Sequence, residues 1–285
     1  MKMERGLPDR NGRTNRPRSH FLRNVILILV TGHQRSGTTL LGQLLNSHPQ
    51  MAVTHEFGMV MAADQLLWPY IRAIWKRVQV VDTRWSFLPT SGKPQTIKWA
   101  NRWLALRYLL NVVRVTRGVV DFDVIDRAWR MTFPQAQLVG DKLPEYASQL
   151  HKYMSQDALS TIYIYRDCRD VTSSFLVKTR TDWRGQAWTE KWQTAGAVAQ
   201  RWVQRIEVME KWSQQMLVVR YEDLVQTPEH VLPKLGAWLN VDPEGFDKGR
   251  LRPTSVGNYK KTLTDQDVAD IMAVAGPTMA RLGYE

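Results

Sequence analysis

One stretch constrains this chain more than any other: Val25 to Asn46, VILILV-TGHQRSGTT-LLGQLLN. Val25 to Val30 is an unbroken apolar run rich in β-branched residues, which suits a strand buried on both faces of a parallel sheet. A loop holding Gly32 and Gly37 follows. From Gly37 onward, Leu40, Leu41, Leu44 and Leu45 fall at helical spacing. Strand, glycine-punctuated loop and helix, in that order, predict an anion cradle. Backbone N–H groups and the positive end of the helix dipole then point at one spot.

The spacing of Gly32, Gly37, Thr38 and Thr39 mimics the nucleotide-triphosphate loop G-x-x-x-x-G-K-[ST]. It departs at one residue. Thr38 stands where that loop places the lysine that reaches the β- and γ-phosphates, and the cation sits earlier, at Arg35. A serine/glycine turn opening an ordinary helix shares part of this pattern, so the loop alone says only that an anion suits the site.

The 285 residues predict one large domain, or one domain with an insertion. A net charge of +12 admits nucleic acid, anionic membranes or anionic small molecules as partners. Part of that excess belongs to a tail, residues 1–22, which places Lys2, Arg5, Arg10, Arg13, Arg16 and Arg18 among Gly, Pro and Asn and is expected to be disordered. The charge beyond it gives no reason to expect nucleic acid. Cys168 is the one cysteine, so no intrachain disulfide forms and a reducing compartment is favoured. The run at 25–30 is far shorter than the roughly 20 residues of a membrane span and lacks a cleavage site. The expected location is cytoplasmic, with attachment at a membrane surface as a further reading.

Ser47-His48-Pro49 ends the first helix. Met51 to Val53 reads as a strand, and Glu56 falls at its carboxyl end, the edge where ligands bind in open α/β sheets. Residues 59–135 show no strand pattern and read as a basic, aromatic helical insertion. In it Trp99, Trp103, Leu106, Leu110 and Val113 step by four and three along one helix face, with Lys98, Arg102, Arg107, Arg114 and Arg117 on the other sides. An ordinary amphipathic helix, an acceptor-binding lid and a membrane-surface helix all fit that pattern.

Gln137 to Val139 predicts a strand, with Lys142 in the loop beyond it and Pro144 opening a helix to about Met154. Ser160 to Tyr165 predicts another, ended by Arg166. Ser174 lies eight residues on, inside the following helix, so a guanidinium and a hydroxyl could share a phosphate. Trp188, Trp192, Ala195, Ala199, Trp202, Ile206 and Met209 predict a helix packed on the core. Met216 to Arg220 is the last strand, and Thr264-x-x-Asp267 predicts a capping box on a terminal helix. Strands alternating with helices give an α/β class.

Five separated segments, in order, resemble the sulfotransferases that use 3′-phosphoadenosine 5′-phosphosulfate (PAPS). Arg35-Ser-Gly-Thr-Thr39 resembles the family's 5′-phosphosulfate loop. Arg166 through Ser174 resembles its 3′-phosphate motif, with Cys168 where proline is usual. Gly140-Asp-Lys-Leu-Pro144 resembles its G-[DE]-K-x-P segment, and Val218 through Leu224 its Y-E-D strand end. Ser255-Val-Gly-Asn-Tyr-Lys260 resembles the loop that closes over the nucleotide. The arginine in the first loop, and His48-Pro49 followed by Glu56, resemble the carbohydrate and tyrosyl-protein branch, including its bacterial members.

The resemblance implies a P-loop-like three-layer α/β fold, with a central, mostly parallel sheet flanked by helices and a helical acceptor-binding insertion. It implies PAPS as donor and no metal. Arg35, Ser36, Gly37, Thr38 and Thr39 would hold the phosphosulfate, and Arg166, Ser174, Lys260 and Lys261 the 3′-phosphate, with Tyr221 near the adenine. Glu56 would be the general base, with His33 as its rival, and Lys142 would stabilise charge on the sulfuryl group. His55, next to Glu56, is expected to point the opposite way along an extended segment. The acceptor would be a small molecule, a glycan, a lipid-linked sugar or lipid, or a tyrosine. The rivals are a nucleoside or sugar kinase with an altered phosphate loop, and a non-catalytic nucleotide- or polyanion-binding module.

Overall fold

The computed structural model describes residues 27–81, 86–88, 94–156 and 159–284. The tail expected over 1–22, the start of the apolar run at Val25, and Ser91-Gly92-Lys93, which with Pro94 predicts a loop, lie outside the described residues.

Five strands form one parallel sheet: β1 (Leu27–Gly32), β2 (Met51–His55), β5 (Leu138–Lys142), β6 (Leu159–Tyr165) and β7 (Leu217–Arg220), in the spatial order β2-β5-β1-β6-β7. The apolar run at 27–30 sits in the middle of this sheet and is buried on both sides. Leu27 and Leu29 join one core, and Ile28 and Val30 the other. That period-two split, with both faces apolar, is why the strand reads as a continuous hydrophobic run.

The second of these cores packs the sheet against α1 (Thr38–Leu45), α8 (Tyr221–Gln226) and α9 (Pro228–Leu239). The opposite face is covered by α6 (Cys168–Arg180), α7 (Ala195–Trp212) and α10 (Asp265–Arg281). The expected capping box starts α10: Thr264 accepts from the Asp267 backbone N–H, and the Asp267 carboxylate accepts from the Thr264 N–H.

The segment 59–135 folds mainly as α2 (Leu67–Val81), α3 (Pro94–Val115) and α4 (Phe122–Thr132). It also contains a two-residue antiparallel ladder, β3 (Gln65–Leu66) with β4 (Val119–Val120), too short to leave an alternating pattern in the sequence. Tyr70, Tyr108 and Trp129 pack with Phe57 and with the sheet residues Leu29 and Val139 in one core, so the segment shares the interior of the parent domain.

Two sequence expectations need correction, and one left open, the outward face of α3, is decided. β5 runs through Lys142, which is a strand residue and not a loop residue. Its buried neighbours in the sheet, β1 and β2, carry the ladder on to Val30 and His55. In α3 the stripe from Trp99 to Val113 is the exposed side, while Leu104, Ala105, Tyr108, Leu109 and Val112 form the core side. The helix has two apolar faces, so periodicity alone could select either. Finally, α7 starts at Ala195, and Trp188 lies in a preceding 3-10 turn, 45% exposed, against Trp183.

Candidate active site

Each of the five strands delivers a predicted site residue at its carboxyl end: Arg35 beyond β1, Glu56 beyond β2, Lys142 at the end of β5, Arg166 beyond β6 and Tyr221 beyond β7. This is the edge at which open α/β sheets bind ligands.

The loop between β1 and α1 is tightly built. Gly37 caps α1 in the left-handed region, φ 94°. A Cβ there would sit 2.4 Å from the Tyr221 ring, so glycine is required by both conformation and space. Arg35 is also left-handed, φ 74°, which turns its side chain back across the loop. Its Nε donates to Ser174 Oγ at 2.9 Å. Ser36 and Thr38 are buried, and Thr39 is exposed.

Arg166 is buried and lies 4.6 Å over the Tyr221 ring. It pairs with Asp170 at 3.2 Å, donates to the Arg35 carbonyl at 3.4 Å and also to the Ser255 carbonyl. Two neighbours fix its backbone. Trp202 Nε1 donates to its carbonyl at 2.9 Å, and the next N–H, from Asp167, donates to the buried Glu222 carboxylate at 3.0 Å. Tyr284, near the chain end, donates to the same carboxylate. Arg35 therefore joins Arg166 and Ser174, which the sequence paired directly with each other.

The electrostatics favour an anion. Burial, and then the nearby Arg166 cation, push the Arg35 pKa below the usual guanidinium value. Arg166 Nε and Ser36 Oγ are buried without a hydrogen-bond partner. Buried donors left unmet cost about 1–3 kcal/mol each, a cost an anion between them would remove.

At the other end of the edge, Lys142 Nζ pairs with Glu56 Oε1 at 2.7 Å; the lysine side chain is 3% exposed and the glutamate 26%. Glu56 Oε2 has no hydrogen-bond partner among the described residues. Glu56 is left-handed, φ 63°, and this breaks the alternation expected of an extended segment. His55 consequently lies on the same side, with its Nε2 beside Gly42 of α1 and the Lys142 side chain. Burial, with a smaller contribution from Lys142, lowers the His55 pKa to about 4, so the ring is neutral at pH 7.

Asp141 holds this corner, a role the sequence did not assign. Its buried carboxylate accepts from Thr54 Oγ1 (2.7 Å), the backbone of Phe57 (3.0 Å) and Gly58 (2.8 Å), and Tyr146 OH (2.6 Å). Arg77 on α2 adds a bond from Nε to the Glu56 carbonyl at 2.8 Å. The signal for it is the acidic position of the segment Gly140 to Pro144, next to Lys142.

The rival base, His33, is turned into the protein. It is 2% exposed, its Nδ1 donates to the Gln34 carbonyl at 2.6 Å, and burial lowers its pKa to about 3. Lys260 and Lys261 are exposed on a 3-10 turn after Gly257. The turn is tied to the site through Asp170, which accepts from the Gly257 and Tyr259 N–H groups at 2.8 and 3.0 Å. No contact of either ammonium group with Arg166 or Ser174 is formed. Among the described residues, no group of three His, Cys, Asp or Glu side chains could hold a metal ion.

A family model described as the sulfotransferase family matches residues 28–245. No curated protein matches the chain. Among solved structures, the chain is similar to a sulfotransferase domain from the curacin biosynthetic pathway, with 18% identity, 91% of this chain and 98% of that one covered, and a TM-score of 0.51. It is also similar to a sulfotransferase domain of the Synechococcus PCC 7002 olefin synthase (18% identity, 91% and 94% covered, TM-score 0.50). A sulfotransferase from Alicyclobacillus acidocaldarius gives 14% identity, 90% and 93% coverage, and a TM-score of 0.50. At these identities the likeness is one of fold.

Proposed function

The chain belongs to the sulfotransferase family, and from that premise we propose that it moves the sulfuryl group of PAPS onto an acceptor hydroxyl. One observation carries the reading: the convergence of Arg35 and Arg166 beside the orphaned Ser36 Oγ, at the start of α1. Two neighbouring cations from distant parts of the chain, one in the loop and one beyond β6, suit a donor with a 5′-phosphosulfate and a distinct 3′-phosphate. A nucleoside triphosphate has no second, separate phosphate for Arg166 to meet, and Thr38 offers no ammonium to a γ-phosphate.

In this reading the amides of 36–39, with the hydroxyls of Ser36, Thr38 and Thr39, hold the phosphosulfate. Arg35 neutralises charge that develops on the departing phosphate. Arg166 and Ser174 hold the 3′-phosphate, Tyr221 packs near the adenine, and Lys260 or Lys261 closes from the C-terminal loop. Glu56 takes the acceptor proton through Oε2, while Lys142, fixed by Oε1, offers its charge to the sulfuryl oxygens. The acceptor belongs to the carbohydrate, lipid or tyrosine class, with segment 59–135 helping to receive it. Arg77 on α2, bonded to the Glu56 carbonyl, supports that role for the segment.

Calorimetry with PAPS, with 3′-phosphoadenosine 5′-phosphate, and with ATP plus magnesium tests the donor. Tight binding of the first two is expected, and a preference for ATP would sink the proposal. Sulfate-radiolabelled PAPS, incubated with lysate fractions, identifies the acceptor. With that acceptor, Glu56→Gln should lower kcat by about 10²–10⁴-fold while donor affinity stays nearly unchanged. Full turnover by Glu56→Gln would remove Glu56 from the mechanism.

A further inference from the structure

The exposed face of α3 has no role in the chemistry above. Trp99, Trp103, Leu106, Leu110 and Val113 lie along it, each between 44% and 71% exposed. The core side of the same helix is separately filled by Leu104, Tyr108 and Val112. The outer stripe is therefore surplus to folding, and an exposed apolar stripe of this length marks a binding surface. Beyond the end of α3, Leu66 and Val119 pair across β3 and β4 and are 62% and 48% exposed, and Trp68 at the start of α2 is 76% exposed.

Charge identifies the occupant. At about 100° per residue, Arg107 and Arg114 border one edge of the stripe, and Lys98 and Arg102 the other. Neither α2 nor α3 carries an acidic residue. Steps of four and three also make a coiled-coil seam, but a second copy would set arginines against arginines along that seam. An apolar strip bearing two tryptophans, edged on both sides by cations, is complementary to an anionic lipid surface. There the indoles settle at headgroup depth and the guanidiniums meet phosphate.

We propose that α3 rests its Trp99–Val113 stripe on an anionic membrane surface. Among the described residues no helix is long and apolar enough to span. The α2–α3 hairpin also carries Arg77, which holds the Glu56 carbonyl, so docking and the candidate catalytic corner share an element.

The test is co-sedimentation of the full chain with vesicles. Mixed phosphatidylglycerol and phosphatidylcholine vesicles should bind at least about tenfold more tightly than phosphatidylcholine alone, and less so as salt is raised. The double substitution Trp99→Ser with Trp103→Ser should weaken that binding by about tenfold or more. Arg107→Glu with Arg114→Glu should abolish the preference for anionic lipid. Trp99 and Trp103 are solvent-facing, so circular dichroism melting and donor calorimetry of the tryptophan variant should match the unsubstituted chain, whereas Arg114→Glu also gives up a bond to Asn111 Oδ1. Three results would overturn the proposal. One is absence of vesicle binding. A second is equal binding by the tryptophan variant, which would move attachment to another basic segment such as 1–23. The third is a dimer in light scattering that the tryptophan variant dissociates, which would assign the stripe to a second copy.

Discussion

At the scale of single residues, the charged groups of the cleft were legible because each ends a strand or opens a helix, where side-chain chemistry and backbone geometry leave a joint mark. The sequence alone places Arg35, Glu56 and Arg166 on the ligand edge. It does not place their partners. The Arg35–Ser174 bond spans 139 positions and the Lys142–Glu56 pair 86, and no local pattern encodes such contacts. The structure separates the two arginines in a way the sequence did not. Arg166 is locked by Asp170, Trp202 and the Glu222 clamp on Asp167, whereas Arg35 rests on one hydroxyl. Arg35→Ala and Arg166→Ala each remove a charge-assisted contact worth about 1.5–3 kcal/mol, or roughly 10- to 150-fold in donor affinity. Arg166→Ala should also lower the melting temperature, because Asp170 is left buried without its cation. Arg35→Ala should leave it unchanged or raise it slightly, since it relieves a cation held near another. Calorimetry of donor binding beside thermal melts of both variants checks this contrast. Equal melting losses would show that the two arginines are held alike.

At the scale of elements, the end of β5 is misplaced by the sequence and the buried face of α3 is left open by it, and both have one cause. Periodicity reports where apolar residues recur, but not what lies opposite them. In α3 two stripes recur and only tertiary packing distinguishes them. β5 reads as ending before Gly140 because Gly140, Asp141 and Lys142 break the apolar pattern. They are buried strand residues nonetheless, since Asp141 collects four hydrogen bonds and Lys142 meets Glu56. Asp141 therefore acts as the brace that bends the chain after β2 and presents Glu56 left-handed into the cleft. Asp141→Asn replaces an acceptor by an amide that must point a donor at existing donors. The expected result is a stability loss of about 1–3 kcal/mol and reduced turnover, with donor affinity retained because the donor loop lies beyond β1. Denaturant melts, donor calorimetry and turnover together check it. Unchanged turnover in a destabilised variant would confine Asp141 to folding.

At the scale of the molecule, the order β2-β5-β1-β6-β7 gathers five chain-distant segments onto one edge, and that edge encloses two histidines in neutral form. His33 and His55 have pKa values lowered to about 3 and about 4, chiefly by burial. In the unfolded chain an ordinary histidine titrates near 6.5. Between that value and the folded pKa, the unfolded chain binds more protons than the folded one, so stability rises with pH across the interval. The contribution is complete above pH 6.5 and is lost as pH falls toward 4. At pH 5 each histidine costs about 2 kcal/mol relative to pH 7, since each unit of uncompensated shift is worth about 1.4 kcal/mol. Denaturant melts from pH 7.5 to pH 5, above the range where carboxylates dominate, should show a steady fall in stability. His55→Gln should remove about half of the fall that these two rings produce, since both are unprotonated in the fold throughout that window. A pH-independent stability across the window would mean that the rings take up protons in the folded chain as readily as in the unfolded one. His55 would then set a cation beside Lys142, and His33 one inside the protein among Arg201 and Arg205, contacts that burial of both rings disfavours.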